Sequence, residues 1–287
     1  MRIKDILIRK IFDSRGDPTL EVALTAHTGR TFFASVPSGT SKGKQEAAAL
    51  PFASASRAFK KFLLRPLQGK SVGSVRAIDE FLTRIDGTDD KRRLGANLIL
   101  GISLAASRAL AFERRKELWK LWRAEFFGKR APDKKPLIFS NLINGGAHGR
   151  NNLDIQECMV VVKPMRSLEL TIETLVAFYR DLGDMLKRKT GREELPIGYE
   201  GGYSIDFKND HEPIAILERL IRGKRLTKHF LVALDAAANS FYRNGRYYVE
   251  GKPRASTDLA RMYRNYFRRS RLLFSIEDPF AESDFSG

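Results

Sequence analysis

A polar linker over residues 128–135, holding Pro132, separates two hydrophobic patterns that call for different architectures. Before it, residues 2–36 alternate apolar and polar in three runs, Ile3 to Ile11, Leu20 to Thr25 and Thr31 to Val36. Asp13-Ser14-Arg15-Gly16-Asp17-Pro18 and His27-Thr28-Gly29-Arg30 supply the turns between them, so the runs predict an antiparallel meander. Residues 45–63 and 74–85 read as helices. Residues 94–115 form a longer one with Leu94, Leu98, Ile102, Ala105 and Ala109 on one face. Three strands followed by helices make an α+β domain over residues 1–127. After the linker, apolar strands at 137–143 and 155–162 precede an amphipathic helix at 167–188. A short strand before Gly198, a helix at 211–222, a strand at 230–235, a helix at 256–269 and a strand at 272–277 follow. Such alternation predicts a mostly parallel sheet over residues 136–287.

Two of these strands end in carboxylates. Phe230-Leu231-Val232-Ala233-Leu234 runs into Asp235, and Leu272, Leu273, Phe274 and Ile276 lead to Glu277-Asp278-Pro279. In a β/α barrel the chemistry sits where strands end, and hard oxygen ligands on neighbouring tips suit Mg²⁺. An Asp after an apolar run also reads as a helix N-cap or a loop residue. Five strands do not close a barrel, which takes at least roughly 200 residues. The expectation is an incomplete barrel whose last strand is an apolar edge.

Other candidates lie in loops. Glu200 is flanked by glycines in Gly198-Tyr199-Glu200-Gly201-Gly202, which can aim it into a cleft or leave it an ordinary exposed residue. Asn144-Gly145-Gly146-Ala147-His148-Gly149 follows a strand, and His148 there is a catalyst or a structural hydrogen-bonder. Gln156-Glu157 interrupts the apolar run Ile155 to Val162, where a charge needs a polar site or a partner. Pro37-Ser38-Gly39-Thr40-Ser41-Lys42-Gly43 can offer amides to an anion but lacks P-loop spacing.

Composition narrows the classes. One cysteine, Cys158, excludes an internal disulfide and fits a reducing cytosol, so a cytoplasmic protein is expected. No run of about 18 apolar residues predicts a membrane span. The net charge of +17 points to a nucleic-acid partner or to a solvated basic surface, with positive charge spread along the whole chain.

Eight collinear blocks complete the pattern. They are Asp13 to Val22, Val36 to Ser41, Leu94 to Gly101, Asn141 to His148, Asp154 to Glu157, Glu200 to Gly202, Ala233 to Asp235 and Ser275 to Pro279. Together they resemble enolase, phosphopyruvate hydratase, from about residue 3 to residue 287. The resemblance implies an α+β N-terminal cap domain followed by an enolase-type β/α (TIM-like) barrel, a homodimer, and Mg²⁺-dependent dehydration of 2-phosphoglycerate to phosphoenolpyruvate. It also implies that Asp235 and Glu277 are metal ligands and that Ser41 joins a second metal. His148, Gln156 and Glu157 then hold substrate, and Glu200 is the general acid.

Departures accompany it. Tyr199 stands where an Asp is usual, Lys42 where a small residue is, and Ser240 where a Glu is. The family's third Asp ligand and its proton-abstracting Lys find no counterpart, so this chain alone is expected not to turn over. Further sequence or a complementing C-terminal fragment would complete it. The alternatives are a non-catalytic module that binds nucleic acid or other polyanions through its basic surface, and an acid-sugar dehydratase of the wider superfamily.

Overall fold

The computed structural model describes residues 1–39, 43–128 and 135–287. They form two compact units, Met1–Asp133 and Lys134–Gly287, each with its own hydrophobic core. Ser41 and Lys42 lie outside the described residues.

In the first unit, β1 (Ile3–Phe12), β2 (Pro18–Ala26) and β3 (Thr31–Ser35) form an antiparallel sheet in that order, as the alternation predicts. The helix expected from residue 45 begins later. Residues 43–51 are irregular, and α1 (Phe52–Ala58) runs through a π-helical turn into α2 (Leu64–Leu67). Pro51 at the N-cap explains the late start, because proline fits the head of a helix and disfavours helical backbone before it. Ser74 caps α3 (Val75–Asp86) by accepting the Ala77 N–H, and Gly87 closes it at φ 62°. Helix α4 (Ala96–Glu113) is long and apolar enough to cross a membrane, yet half of it is buried and it packs on β2 and β3. Leu98, Ile102, Ala105 and Ala109 meet Leu20, Val22 and Leu24 there, as in a core helix. A short helix, α5 (Leu118–Trp122), follows it.

The second unit departs from the sequence reading. Its main sheet has four strands, ordered β10 (Leu273–Glu277), β6 (Phe230–Asp235), β5 (Glu157–Val162), β4 (Ile138–Asn144). Only β6 and β10 are parallel; β4–β5 and β5–β6 are antiparallel. The connections account for this. No α-helix joins β4 to β5, only the 3-10 turn Gly146–His148, so the chain doubles back. Between β5 and β6 lie two helices, α6 (Leu168–Thr190) and α7 (Glu212–Gly223), which carry the chain down and up again to the end it left. A single helix, α8 (Ser256–Arg269), joins β6 to β10 and gives the parallel crossover. The short strand expected before Gly198 is reduced to bridges of Tyr203 with Ile143 and Ile197. A small antiparallel sheet of β7 (Tyr242–Arg243), β8 (Arg246–Val249) and β9 (Lys252–Arg254) sits between β6 and α8 and was not foreseen.

Among the described residues the main sheet does not close. It is the start of a barrel, with α6, α7 and α8 packed on one face through Phe178, Leu217 and Leu259. Met159, Val161 and Ala233 line the other. Phe139 of β4 and Phe274 of β10, from opposite edges, approach to 6.5 Å between ring centroids. Both rings are about half exposed, at 48% and 49%.

Asp210, just ahead of α7, is 2% exposed. Its Oδ1 accepts the N–H groups of Asp154 and Ile155 at 3.0 and 3.1 Å, while Oδ2 is buried without a hydrogen-bond partner. Burial, reinforced by the Asp154 carboxylate and only partly offset by the two amides, pushes this carboxyl up to about 7. A folded pKa above the unfolded value contributes stability that is lost as pH rises. At about 1.4 kcal/mol per pKa unit, roughly 2–3 kcal/mol should disappear between pH 5 and 8. Asp210→Asn keeps the Oδ1 acceptor and removes the titration. Urea midpoints of the two proteins should therefore converge at low pH and diverge toward pH 8, with the variant the more stable. A constant difference would contradict this origin.

Candidate active site

The strand register places a row of polar residues at one end of the main sheet. Asn144, last in β4, pairs with Glu157, first in β5; Glu157 pairs with Asp235, last in β6; Asp235 pairs with Glu277, last in β10. The antiparallel run of β5 is what brings Glu157 beside the two parallel tips. With adjacent strands about 4.8 Å apart, three carboxylates are held side by side. Immediately beyond the tips, Ala237 and Asp278 have φ of 44° and 43°, a left-handed conformation uncommon for residues other than glycine. Backbone strain of this kind clusters at functional sites.

Two loops complete the site. The β4–β5 loop folds back on itself through Gly145 N–H to Gln156 O (2.8 Å) and Gly146 N–H to Leu153 O (2.9 Å). A Cβ on Gly145 would lie 2.4 Å from Ile155 O, so a larger residue does not fit this fold-back. The loop buries His148 to 4% exposure and sets its Nδ1 3.0 Å from Glu157 Oε1 and 3.6 Å from Glu200 Oε2. Gln156 Nε2 donates to Asp235 Oδ2 at 3.4 Å, and Asp235 Oδ1 accepts the Ala237 N–H at 2.9 Å. The second loop carries Glu200. Gly198 N–H bonds Gly202 O (2.8 Å), Tyr199 N–H bonds His148 O (3.0 Å), and Asn144 Oδ1 accepts the Gly202 N–H (2.8 Å). Asn141 Nδ2 donates to Glu200 Oε2 at 3.3 Å.

Six of the seven candidate residues thus converge: His148, Gln156, Glu157, Glu200, Asp235 and Glu277. The seventh, Ser41, is not described. The segment before it is anchored, since the Ser38 hydroxyl donates to Asp13 and Arg15 Nη2 binds both Asp13 (2.8 Å) and Ser38 O (3.1 Å). Asn141 and Asn144 were missed by sequence reasoning. Asn144 opens the Gly-rich block, and a polar residue closing an apolar strand before two glycines was the available signal.

Burial and the nearby Glu200, Asp235 and Glu277 push the Glu157 carboxyl up to about 8. After burial, Glu200 is the largest of these causes, so the two carboxyl groups are electrostatically linked and Glu157 favours its protonated form. Burial and then Glu277 and Asp278 raise Asp235 as well. Among the described residues, no lysine or arginine is paired with Glu157, Asp235 or Glu277. Such a surplus of negative charge is relieved by a cation. The ligand atoms of His148, Glu157 and Glu200 all lie within 4.8 Å of one another, close enough to hold a metal ion. Asp235 and Glu277 offer oxygen alone, which a hard divalent cation favours over a set containing imidazole.

A family model described as "Enolase, N-terminal domain" matches residues 3–121, and another described as "Enolase, C-terminal TIM barrel domain" matches residues 134–287. A protein named Enolase from Methanocaldococcus jannaschii is 35% identical over 295 residues, covering 99% of this chain and 68% of the relative. Another from Methanopyrus kandleri is 34% identical over 300 residues, covering 100% of this chain and 69% of the relative.

Proposed function

This chain belongs to the enolase family, and on that premise we propose that it takes part in the reversible dehydration of 2-phosphoglycerate to phosphoenolpyruvate in glycolysis and gluconeogenesis, in the cytosol. The observation that carries the reading is the convergence of His148, Glu157 and Glu200 beside the paired strand tips Asp235 and Glu277. In the forward direction the C2–H bond breaks toward a base, its electrons form the C2–C3 double bond, and the C3 hydroxyl leaves as water after taking a proton. A hydroxyl leaves readily only when protonated as it departs, and a carboxyl that keeps its proton near pH 7 is suited to that task. The family resemblance gives the donor role to Glu200, whose Oε2 lies 3.6 Å from His148 Nδ1 and whose group sits close to Glu157. His148 and Gln156 orient the carboxylates and contact substrate, and Asn141 steadies Glu200.

Asp235 and Glu277 would hold Mg²⁺, and Ser41 a second ion. Bound there, the metal supplies positive charge to the substrate carboxylate as negative charge develops. The lysine that the family resemblance implies as base for the C2 proton has no counterpart among the described residues of the acidic row. Chain 1–287 by itself is therefore expected to give no product until a partner segment contributes one.

The test has two parts. Mixed with the C-terminal third of a curated relative, 2-phosphoglycerate and Mg²⁺, the chain should produce phosphoenolpyruvate; continued silence would overturn the reading. Independently of activity, Mg²⁺ at about ten times its dissociation constant should stabilise the chain by about 1.4 kcal/mol, a rise of roughly 3 °C in Tm. Asp235→Asn should abolish that rise. A shift that persists in the variant would place the ion elsewhere.

A further inference from the structure

The face of α8 turned away from the core carries a pattern that dehydration does not use. Leu259, Met262, Tyr263 and Tyr266 form its buried stripe. On the opposite side, Arg264, Phe267 and Arg268 follow the spacing i, i+3, i+4, which puts them in one line along the helix, and Arg271 lies in the turn just after it, beyond the extended Ser270. All four are exposed, Phe267 at 43%. Arg269 and Asn265 flank the line and are exposed too. Arg264, Arg268, Arg269 and Arg271 form no ion pair among the described residues. Two carboxylates of this unit, Asp258 on the same helix and Glu218 on α7, are engaged by other arginines: Asp258 binds Arg261 at 3.0 Å and Glu218 binds Arg222 at 2.7 Å.

Topology extends the positive surface. Because β6 and β10 are parallel, the turns leading into them lie at the same end of the sheet. Exposed Arg225 and Lys228 occupy one turn, and Arg269 and Arg271 the other. This is the end opposite the acidic row, about 20 Å away along six-residue strands. The second unit is thus acidic where β6 and β10 end and basic where they begin.

We propose that the exposed face of α8 is a binding surface for single-stranded nucleic acid, with Arg264, Arg268 and Arg271 on the phosphates and a base stacked on Phe267. Unpaired arginines are disposed toward phosphate, since a planar fork of donors matches its oxygens. An aromatic ring left half in water between arginines offers a stacking platform, which a bare polyanion or a membrane headgroup does not need. Unstacked bases are available in single strands and not inside a duplex.

The test measures binding of a labelled 12-residue oligouridylate to the whole chain over about 50–200 mM salt. The parent should bind with a falling log–log salt dependence of about 0.7 per phosphate neutralised. The combined variant Arg264→Ala, Arg268→Ala, Arg271→Ala should bind more weakly and lose about two units of that slope. Phe267→Ala should weaken binding about tenfold with the slope unchanged. These side chains are exposed, and unchanged urea midpoints establish that the variants fold; the triple Arg→Lys variant, which keeps the charge, should recover the slope. No binding by the parent, parental binding by the triple alanine variant, or parental affinity in Phe267→Ala would each overturn the proposal. Equal affinity of parent and Phe267→Ala for heparin is expected, because heparin carries charge without bases.

Discussion

Glu200→Gln, assayed in the complemented assembly, should lower kcat by about 10²- to 10⁴-fold while leaving KM little changed. Glutamine keeps the shape of Glu200, its place in the Gly198–Gly202 loop and its reach to Asn141 (3.3 Å in the parent). What it cannot do is give up a proton to a departing hydroxyl. It also changes its neighbour, since Glu200 is a principal cause, after burial, of the raised Glu157 carboxyl. With the Glu200 carboxyl gone Glu157 should ionise at lower pH, so the residual activity should fall on a pH profile displaced toward acid. Retention of most of the parental kcat would remove Glu200 from the acid role.

The second large effect is expected from a residue that touches no substrate. A Cβ on Gly198 would lie 2.5 Å from Asn144 Cβ and 2.5 Å from His148 O. Neither neighbour can retreat: Asn144 is fully buried at the end of β4, and the His148 carbonyl already accepts the Tyr199 N–H. Gly198→Ala should therefore destabilise the second unit by about 3 kcal/mol, the upper range for overpacking, and should swing Glu200 away from His148. Gly201→Ala is the matched control. Its φ is 80°, which strains an alanine, but no atom lies within 4 Å of the added carbon. It should cost about 1 kcal/mol. Equal urea midpoints for the two variants would mean that the crowding at Gly198 is relieved elsewhere.

The sequence was readable where one local rule decided the outcome. The meander of β1–β3 follows from alternation with turn residues between the runs, and α8 and β6 fall where their apolar periods place them. Strand direction was not readable in that way. Counting strands and helices suggested parallel neighbours, whereas β5 runs antiparallel on both sides because direction depends on whether a connection contains none, one or two helices. That error did not reach the site, since the carboxylates at Asp235 and Glu277 end their strands under either topology. Glu157 did depend on it: only at the start of an antiparallel β5 does it join the row. Asp210 and Asn144 were illegible because their importance comes from groups 56 and 58 residues away in sequence, Asp154 and Gly202. The small sheet of β7–β9 escaped notice because strands of two to four residues leave too short a period to detect.

Strands β4 and β10 border the main sheet, and the outer edge of β4 is met only by Tyr203 among the described residues, which bonds Leu142 and Asn144. Such borders invite strands from other copies, and the half-exposed Phe139 and Phe274 beside them add an oily incentive. A net charge of +17 opposes that encounter by mutual repulsion, over a range of about 10 Å at 0.1 M salt and about 3 Å at 1 M. The chain's colloidal behaviour should therefore invert the usual handling advice: clear in dilute buffer, and turbid as added electrolyte lets the bare borders find each other.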